Sequence, residues 1–150
     1  MRVIGAGWGR TGTTSLAAAL GRLGVGPCLQ MSEMWSHPEL VDLWNAHHAG
    51  ATSDWRAALS DWEATVDWPG CWEWREFAEL WPDAVIVLSV RDPGDWYASV
   101  RQSIHAWTAW HHRHDDSSLG GGLPSGSPAT GGFRCAERWE WAYQTSRSLT

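Results

Sequence analysis

The sequence predicts an α/β domain with a mainly parallel sheet and helices on both faces. A short apolar strand at residues 2–6 leads through a glycine-rich loop into a helix. A second apolar strand, at residues 84–90, is followed directly by another helix. Strands that alternate with helices in this way pair in parallel, because each helix carries the chain back to the starting end of the sheet. We therefore expect a three-layer domain in which these two strands are adjacent or near-adjacent.

Apolar spacing and capping residues place the elements between the two strands. The helix after the loop is expected to cover residues 13–23, with its leucines on one face. Residues 36–39 have the pattern of a capping box with proline in the first turn, which begins a helix that continues to about Ala49. The remaining expected elements are a strand at 27–31, helices at 53–62 and 71–81, and an extended segment at 65–69.

The strand at residues 84–90 is the clearest in the chain, because Ser89 is its one polar residue. Such a run is typical of a central strand that is buried on both faces. Asp92 and Pro93 then have the residue types that begin a helix. Apolar residues recur at the helical period as far as Trp110. The pattern therefore predicts a long amphipathic helix after the strand.

Composition divides the chain into three parts. Residues 1–116 carry the alternating strands and helices and are expected to form the α/β domain. Residues 117–132 are rich in glycine, serine and proline, which predicts a linker or a disordered segment. Residues 133–150 form a short tail with room for one helix around Trp139 and Trp141.

Charge and composition exclude several classes of function. The net charge of −6 argues against bulk attraction to nucleic acid. No apolar run approaches the roughly 18 residues of a membrane span, and the first residues do not resemble a signal peptide. Three cysteines without close spacing indicate a reducing compartment. The protein is therefore expected to be soluble and cytoplasmic.

The glycine-rich loop, GAGWGRTGTTSL at residues 5–16, has three competing interpretations. Residues 7–12 fit the G-x-G-x-x-G spacing of a dinucleotide-binding fold, but the acidic residue expected about 20 positions later is missing. Residues 7–14 fit a Walker loop, except that Thr13 stands where the phosphate-binding lysine belongs. The chain contains no lysine at all.

In the third interpretation the loop binds an anion at the N-terminus of the following helix. Backbone N–H groups and the positive end of the helix dipole attract negative charge there. Hydroxyl groups add donors, and Arg10 reaches over the anion. Residues 1–32 contain no acidic side chain, so the loop region is locally positive. The residues assigned to this site are Gly9, Arg10, Thr11, Gly12, Thr13, Thr14 and Ser15.

A second candidate anion site follows the strand at residues 84–90. In parallel α/β sheets, ligands bind beyond the carboxyl ends of the strands, and Arg91 stands at such an end. Ser99 lies two helical turns further on, roughly on the face of Asp92. Arg91 and Ser99 together have the residue types to hold a second phosphate, apart from the first. A surface ion pair and a helix hydroxyl are the competing interpretation.

The two motifs, in this order, resemble those of sulfotransferases that use 3′-phosphoadenosine 5′-phosphosulfate (PAPS). The loop at residues 9–16 is similar to the family's 5′-phosphosulfate loop, and Arg91 with Ser99 is similar to its 3′-phosphate site. The resemblance extends from residue 2 to about residue 110. Short segments that resemble one bacterial and fungal branch with a P-loop-like fold are GPC at 26–28, MSE at 31–33, HPE at 37–39 and VDWP at 66–69.

The resemblance implies transfer of a sulfuryl group from PAPS to a hydroxyl or amine of a small-molecule acceptor, without a metal. Many family members carry lysine in place of Arg10, and arginine keeps the charge but is a poor acid. The branch continues beyond its long helix with a further strand and helices, so residues 1–116 are expected to be an incomplete domain. Two alternatives stay open: a truncated, inactive domain that binds nucleotide, and an NAD(P)-binding oxidoreductase-like domain.

A general base must take the acceptor's proton, and Asp67 is the candidate, because its extended segment is expected to line the cleft. A helix-capping or turn residue before Trp68 and Pro69 is the competing interpretation of Asp67. His37 and His105 are weaker alternatives for the base.

Two further features of the sequence bear on ligands. Trp8, inside the loop, is expected to stack on adenine or to flank the acceptor, whereas most of the 14 tryptophans fall at helical spacing typical of a core. Three histidines within residues 111–114 lack a companion ligand at a standard spacing. No metal site is therefore predicted there.

Overall fold

The computed structural model describes residues 1–106, and its strands form one four-stranded parallel sheet in the order β2-β3-β1-β4. β1 pairs with β3 on one side and with β4 on the other, with Val3 opposite Val85. The predicted α/β fold is confirmed, and so is the adjacency of the first and last predicted strands. The strands are β1 (Val3–Gly5), β2 (Cys28–Leu29), β3 (Ala64–Thr65) and β4 (Val85–Val87).

The helices follow the predicted order but are shorter at their ends. The third helix differs most, since it has four residues where ten were predicted. Asp54 caps its N-terminus by accepting a hydrogen bond from the Ala57 N–H at 3.1 Å, so the helix begins two residues later than expected. The helices are α1 (Thr13–Arg22), α2 (Pro38–His48), α3 (Trp55–Ala58), α4 (Trp74–Leu80) and α5 (Pro93–Val100), with a 3₁₀ turn at Met31–Trp35.

Helices cover both faces of the sheet. Val3 packs on one face with Leu20 of α1. Ile4 alternates to the opposite face, where it is fully buried, and α4 packs against β1. Phe77 of α4 joins a buried cluster with the rings of Trp44 and Trp55, whose centroids lie 4.6 Å apart. These two apolar layers hold the carboxyl end of β1 in place.

The expectation that the strand at 84–90 is buried on both faces is wrong for the part of the chain that the structure describes. β4 lies at the edge of the sheet, and Val85 and Ile86 are 61% and 45% exposed. An apolar run indicates a strand, but it does not indicate how many neighbours the strand has.

The chain divides into two compact units, residues 1–91 and residues 92–150. In the second unit, Asp92 caps α5 as predicted, because its carboxylate accepts hydrogen bonds from the N–H groups of Gly94 and Asp95. A π-helical turn at Arg101–His105 continues α5. The predicted remainder of this helix, the linker at 117–132 and the tail at 133–150 lie outside the described residues.

Two further observations concern membrane spans and thiols. Within residues 1–106, none of the helices is both long and apolar enough to cross a membrane. Cys28 and Cys71 are free thiols. Burial, and then the charge of Glu33, raise the pKa of Cys28 to about 11, so this thiol is protonated at neutral pH.

Candidate anion-binding site

The glycine-rich loop follows β1, the strand at which the order of strands in the sheet reverses. The chain places β3 on one side of β1 and β4 on the other. In open α/β sheets, such a switch point opens a crevice beyond the carboxyl ends of the strands. The Ala6 N–H donates to the Val87 carbonyl at 2.9 Å, so the start of the loop is held against the end of β4.

Gly7 allows the loop to approach Ser89 more closely than any other residue type would. A Cβ at position 7 would lie 2.6 Å from the Ser89 carbonyl oxygen and 2.9 Å from its nitrogen. The Ser89 hydroxyl donates to Thr11 Oγ1 at 2.7 Å, and Thr11 Oγ1 donates to the Trp8 carbonyl at 2.6 Å. Ser89 was not assigned to the site from the sequence, although its signal was present: it is the single polar residue of an apolar strand.

The N-terminus of α1 has the features of an anion site. Gly12 precedes the helix at φ 92°, and the first helical hydrogen bond runs from the Leu16 N–H to the Gly12 carbonyl at 3.0 Å. Residues 13–15 come before that bond, so their N–H groups have no acceptor within the helix. Gly12, the residue before the helix, supplies no side-chain cap, and the first turn has no acidic residue. A Cβ at Gly12 would meet no atom within 4 Å, so the space beside this residue is open, whereas Thr13 is buried.

Two arginines lie at the loop. Arg10 has φ 70°, which is uncommon for a residue with a side chain and is a form of strain found at functional sites. Its carbonyl oxygen accepts a hydrogen bond from Arg91 Nη1 at 3.3 Å. The structure therefore brings Arg91 to the loop, although 81 residues separate the two positions.

Asp67, the candidate base, lies beside the same loop. Its carboxylate accepts hydrogen bonds from the Trp68 N–H, at 2.7 Å, and from the Thr13 side chain. Burial raises the pKa of Asp67, and the two hydrogen bonds and the charge of Arg10 offset that rise only in part. Asp67 also has a left-handed backbone, with φ 66°. Arg10, Thr13 and Asp67, all assigned from the sequence, thus come together around the start of α1.

The other predicted residues differ in where the structure places them. Gly9 is buried in the loop, whereas Thr14 and Ser15 are exposed on the first turn of α1. Ser99 belongs to α5 in the second unit, where its carbonyl accepts from the Ser103 hydroxyl at 2.6 Å. Its role beside Arg91 stays a prediction.

The two alternative bases have different surroundings from Asp67. His37 Nδ1 lies 3.0 Å from Glu39 Oε1, and its ring packs edge-on against Trp62. His105 lies in the second unit. Asp67, in contrast, interacts with the loop through a hydrogen bond with the Thr13 side chain and through the charge of Arg10.

Indole rings form a wall next to the loop. Trp8 stacks on Trp68 with centroids 6.2 Å apart and meets Trp72 edge-on at 5.5 Å. Trp68 is buried, but Trp8 and Trp72 are half-buried. Trp68 follows Asp67 directly in the chain, and its ring packs against Trp8 of the loop. This packing holds the segment of the candidate base beside the loop.

A parallel sheet with a glycine-rich loop and a helix N-terminus at the carboxyl end of its first strand defines an α/β protein with a candidate anion site. More specifically, the chain belongs to the sulfotransferase-domain family, whose model matches residues 2–120. The match includes the loop, Asp67, Arg91 and Ser99. The predicted family is therefore confirmed.

One curated relative is the "Ava biosynthesis cluster protein M" of Aspergillus versicolor. It is 27% identical over 122 residues, which is 73% of this chain. The aligned part is 46% of the relative, so this chain spans less than half of that protein's length.

Proposed function

We propose that this domain binds PAPS and takes part in transfer of its sulfuryl group to a hydroxyl or amine of a small-molecule acceptor. The observation that carries the proposal is the convergence of Arg10, the first N–H groups of α1 and Asp67 at one place. Membership of the sulfotransferase-domain family supports the choice of sulfuryl transfer over other uses of a phosphate loop.

The loop is proposed to hold the 5′-phosphosulfate. The N–H groups of residues 13–15 and the dipole of α1 attract an anion. Arg10 adds a full positive charge with planar, bidentate geometry for oxyanions. Because these donors are fixed by the fold, they stabilise charge that develops during transfer without first having to reorganise. Arginine does not release a proton at neutral pH, so its role is electrostatic.

Asp67 is proposed to act as the general base. It would take the proton of the acceptor as the acceptor's oxygen or nitrogen forms a bond to sulfur. The bond between sulfur and the bridging oxygen of the donor breaks in the same step, and Arg10 stabilises the charge left on the 5′-phosphate. The buried setting that raises the pKa of Asp67 also makes its carboxylate a stronger base.

Arg91 and Ser99 are proposed to hold the 3′-phosphate of the donor. Arg91 supports this role because it is exposed and reaches the carbonyl of Arg10 at the loop. Trp8 and Trp72, which are half-buried beside the loop, are proposed to flank the adenine or the acceptor. A cytoplasmic location is consistent with this chemistry and stays a prediction.

The order of the strands argues against the NAD(P)-binding alternative. In a dinucleotide-binding fold, the second strand lies beside the first, in the order 3-2-1-4. Here β3 separates β2 from β1. The G-x-G-x-x-G spacing of residues 7–12 is therefore a by-product of a loop rich in glycine.

A turnover assay with matched binding measurements tests the proposal. The chain is incubated with PAPS and a panel of phenols, alcohols and amines, and binding of 3′,5′-adenosine bisphosphate is measured in parallel. We expect Asp67→Asn to lower the rate by about 10²–10⁴-fold and to leave bisphosphate affinity within a few-fold of the wild type. Bisphosphate binding without turnover of any acceptor would favour the inactive, nucleotide-binding alternative. Absence of bisphosphate binding would contradict the proposal itself.

A further inference from the structure

A cluster of histidines and glutamates, separate from the anion loop, joins α2 to α4. His47 and His48 are the last residues of α2, and Glu73 and Glu76 lie at the start of α4. His47 Nε2 lies 3.7 Å from Glu73 Oε2 and 3.5 Å from Glu76 Oε2. The three ligand atoms lie within 4.8 Å of one another. The side chains of His47 and Glu73 are only 21% and 11% exposed, whereas that of Glu76 is 42% exposed, so the cluster is open to solvent on the side of Glu76.

The distances in this cluster fit a shared cation better than direct hydrogen bonds. An N–H···O bond has a donor–acceptor distance of about 2.7–3.2 Å, which is shorter than either distance from His47 Nε2. A tetrahedral zinc ion with bonds of about 2.0–2.2 Å separates its nitrogen and oxygen ligands by about 3.3–3.5 Å. The two distances from His47 Nε2 are thus close to the separations that a bound metal requires.

The outer oxygen of each carboxylate is already held in place. His48 Nε2 donates to Glu73 Oε1 at 2.9 Å, and Trp55 Nε1 donates to Glu76 Oε1 at 2.9 Å. Both inner oxygens therefore turn toward His47. Hydrogen bonds that orient the ligands in this way are a regular feature of metal sites.

The negative charge of the two glutamates in the cluster also favours binding of a cation. Glu73 and Glu76 are three residues apart at the start of α4, so their like charges repel each other. The chain has no lysine, and within residues 1–106 the ion-pair partners of these two carboxylates are His47 and His48. His47 Nδ1 is buried and has no hydrogen-bond partner in the described part of the chain. Neither position of the ring proton therefore gives His47 a good hydrogen bond.

We propose that His47, Glu73 and Glu76 bind a divalent transition-metal cation of the zinc class through Nε2, Oε2 and Oε2. A nitrogen ligand with two carboxylates suits zinc and its first-row neighbours, whereas magnesium and calcium prefer oxygen alone. The ion would fasten the end of α2 to the start of α4. This proposal does not rest on PAPS binding, and the site differs from the histidines within residues 111–114.

Thermal melting of the chelator-treated, dialysed chain tests the site directly. Saturating Zn²⁺ and Co²⁺ are expected to raise the melting temperature by about 5–10 °C, while Mg²⁺ leaves it unchanged. Co²⁺ is also expected to produce visible absorption bands of a four- or five-coordinate site. Absence of both the shift and the bands in the wild-type chain would overturn the proposal.

Matched variants locate the ion. His47→Gln and Glu76→Gln are each expected to weaken Co²⁺ binding by about tenfold or more, and Glu76 is exposed enough for its variant to fold. His37→Gln removes a half-buried histidine that pairs with Glu39, outside the cluster, so it serves as the control and should keep wild-type binding. A variant with glutamine at all three histidines within 111–114 should keep it too. Loss of binding in that variant, or unchanged binding in His47→Gln and Glu76→Gln, would overturn the assignment.

Discussion

Asp67 couples its ionisation to the stability of the fold. Its pKa is raised above the ordinary value of 3.8, chiefly by burial. Between the unfolded and folded pKa values, the folded state binds more protons than the unfolded state. The free energy of unfolding therefore falls as the pH rises through this window, and the penalty persists at higher pH.

This coupling predicts how Asp67→Asn changes stability. Asparagine tolerates a positive φ and can accept the same hydrogen bond from the Trp68 N–H. The variant should therefore be more stable than the wild type at pH 7, and the gain should vanish as the pH approaches 3.8. Urea unfolding across this pH range measures the difference. Asp61→Asn, at an exposed carboxylate, is the control, and an equal gain in that variant would refute the explanation.

The role of Arg91 distinguishes a PAPS site, which must bind a 3′-phosphate, from the sites of other nucleotides that a phosphate loop can bind. ATP and GTP carry no 3′-phosphate, so a nucleotide hydrolase needs no cation for it. We expect Arg91→Ala to weaken binding of 3′,5′-adenosine bisphosphate by about 1.5–3 kcal/mol, the range for a hydrogen bond to a charged group. Binding of 5′-AMP should change little, and calorimetry can measure both.

Arg91 also donates a hydrogen bond to the Arg10 carbonyl, so its loss could weaken ligand binding by disturbing the loop. Equal losses for the two ligands would mean that Arg91 only supports the loop. Arg2→Ala is the matched control, because Arg2 is an exposed arginine that pairs with Glu63 rather than with the loop. It should leave both affinities unchanged.

The strand–loop–helix element depends on one close approach. Gly7→Ala would place a methyl group against the Ser89 backbone. We expect a loss of about 1–3 kcal/mol in the free energy of unfolding, as for other overpacked sites, together with weaker bisphosphate binding. Chemical denaturation and calorimetry on the same variant report both effects.

Gly21→Ala is the control for this element. Gly21 lies within α1, and a Cβ there would meet no atom within 4 Å. Alanine should stabilise the helix by about 0.5–1 kcal/mol. Bisphosphate binding should stay as in the wild type. A Gly7→Ala variant as stable as Gly21→Ala would show that the packing of the loop against β4 is looser than the structure indicates.

At the scale of the whole molecule, local sequence patterns predicted the helices and strands. Contacts between residues far apart in the sequence were visible only in the structure. The loop and Arg91 were predicted because each directly follows a strand, where parallel sheets bind ligands. The hydrogen bond between Asp67 and Thr13 was not predictable from spacing, since 54 positions separate the two residues. The same holds for Ser89, whose partner Thr11 lies 78 residues away.

The edge position of β4 and the short length of α3 show what apolar periodicity in a sequence does not predict. Apolar periodicity reports which side chains avoid water, and the run at 84–90 has the composition of a covered strand. Whether a neighbour covers it depends on the rest of the sheet, which periodicity does not describe. For α3, the capping contact of Asp54 decided the first residue, whereas the tryptophan spacing suggested a longer helix.

The most direct test of the central claim is thermal melting with 3′,5′-adenosine bisphosphate, ATP and NAD side by side. A ligand that binds only the folded state stabilises it by RT ln(1 + [L]/Kd), about 2.7 kcal/mol at 100 times Kd. We predict that the bisphosphate raises the melting temperature more than ATP or NAD at equal concentration, and that Arg91→Ala abolishes the difference. An equal or larger shift with ATP or NAD, or no shift with the bisphosphate, would contradict the account.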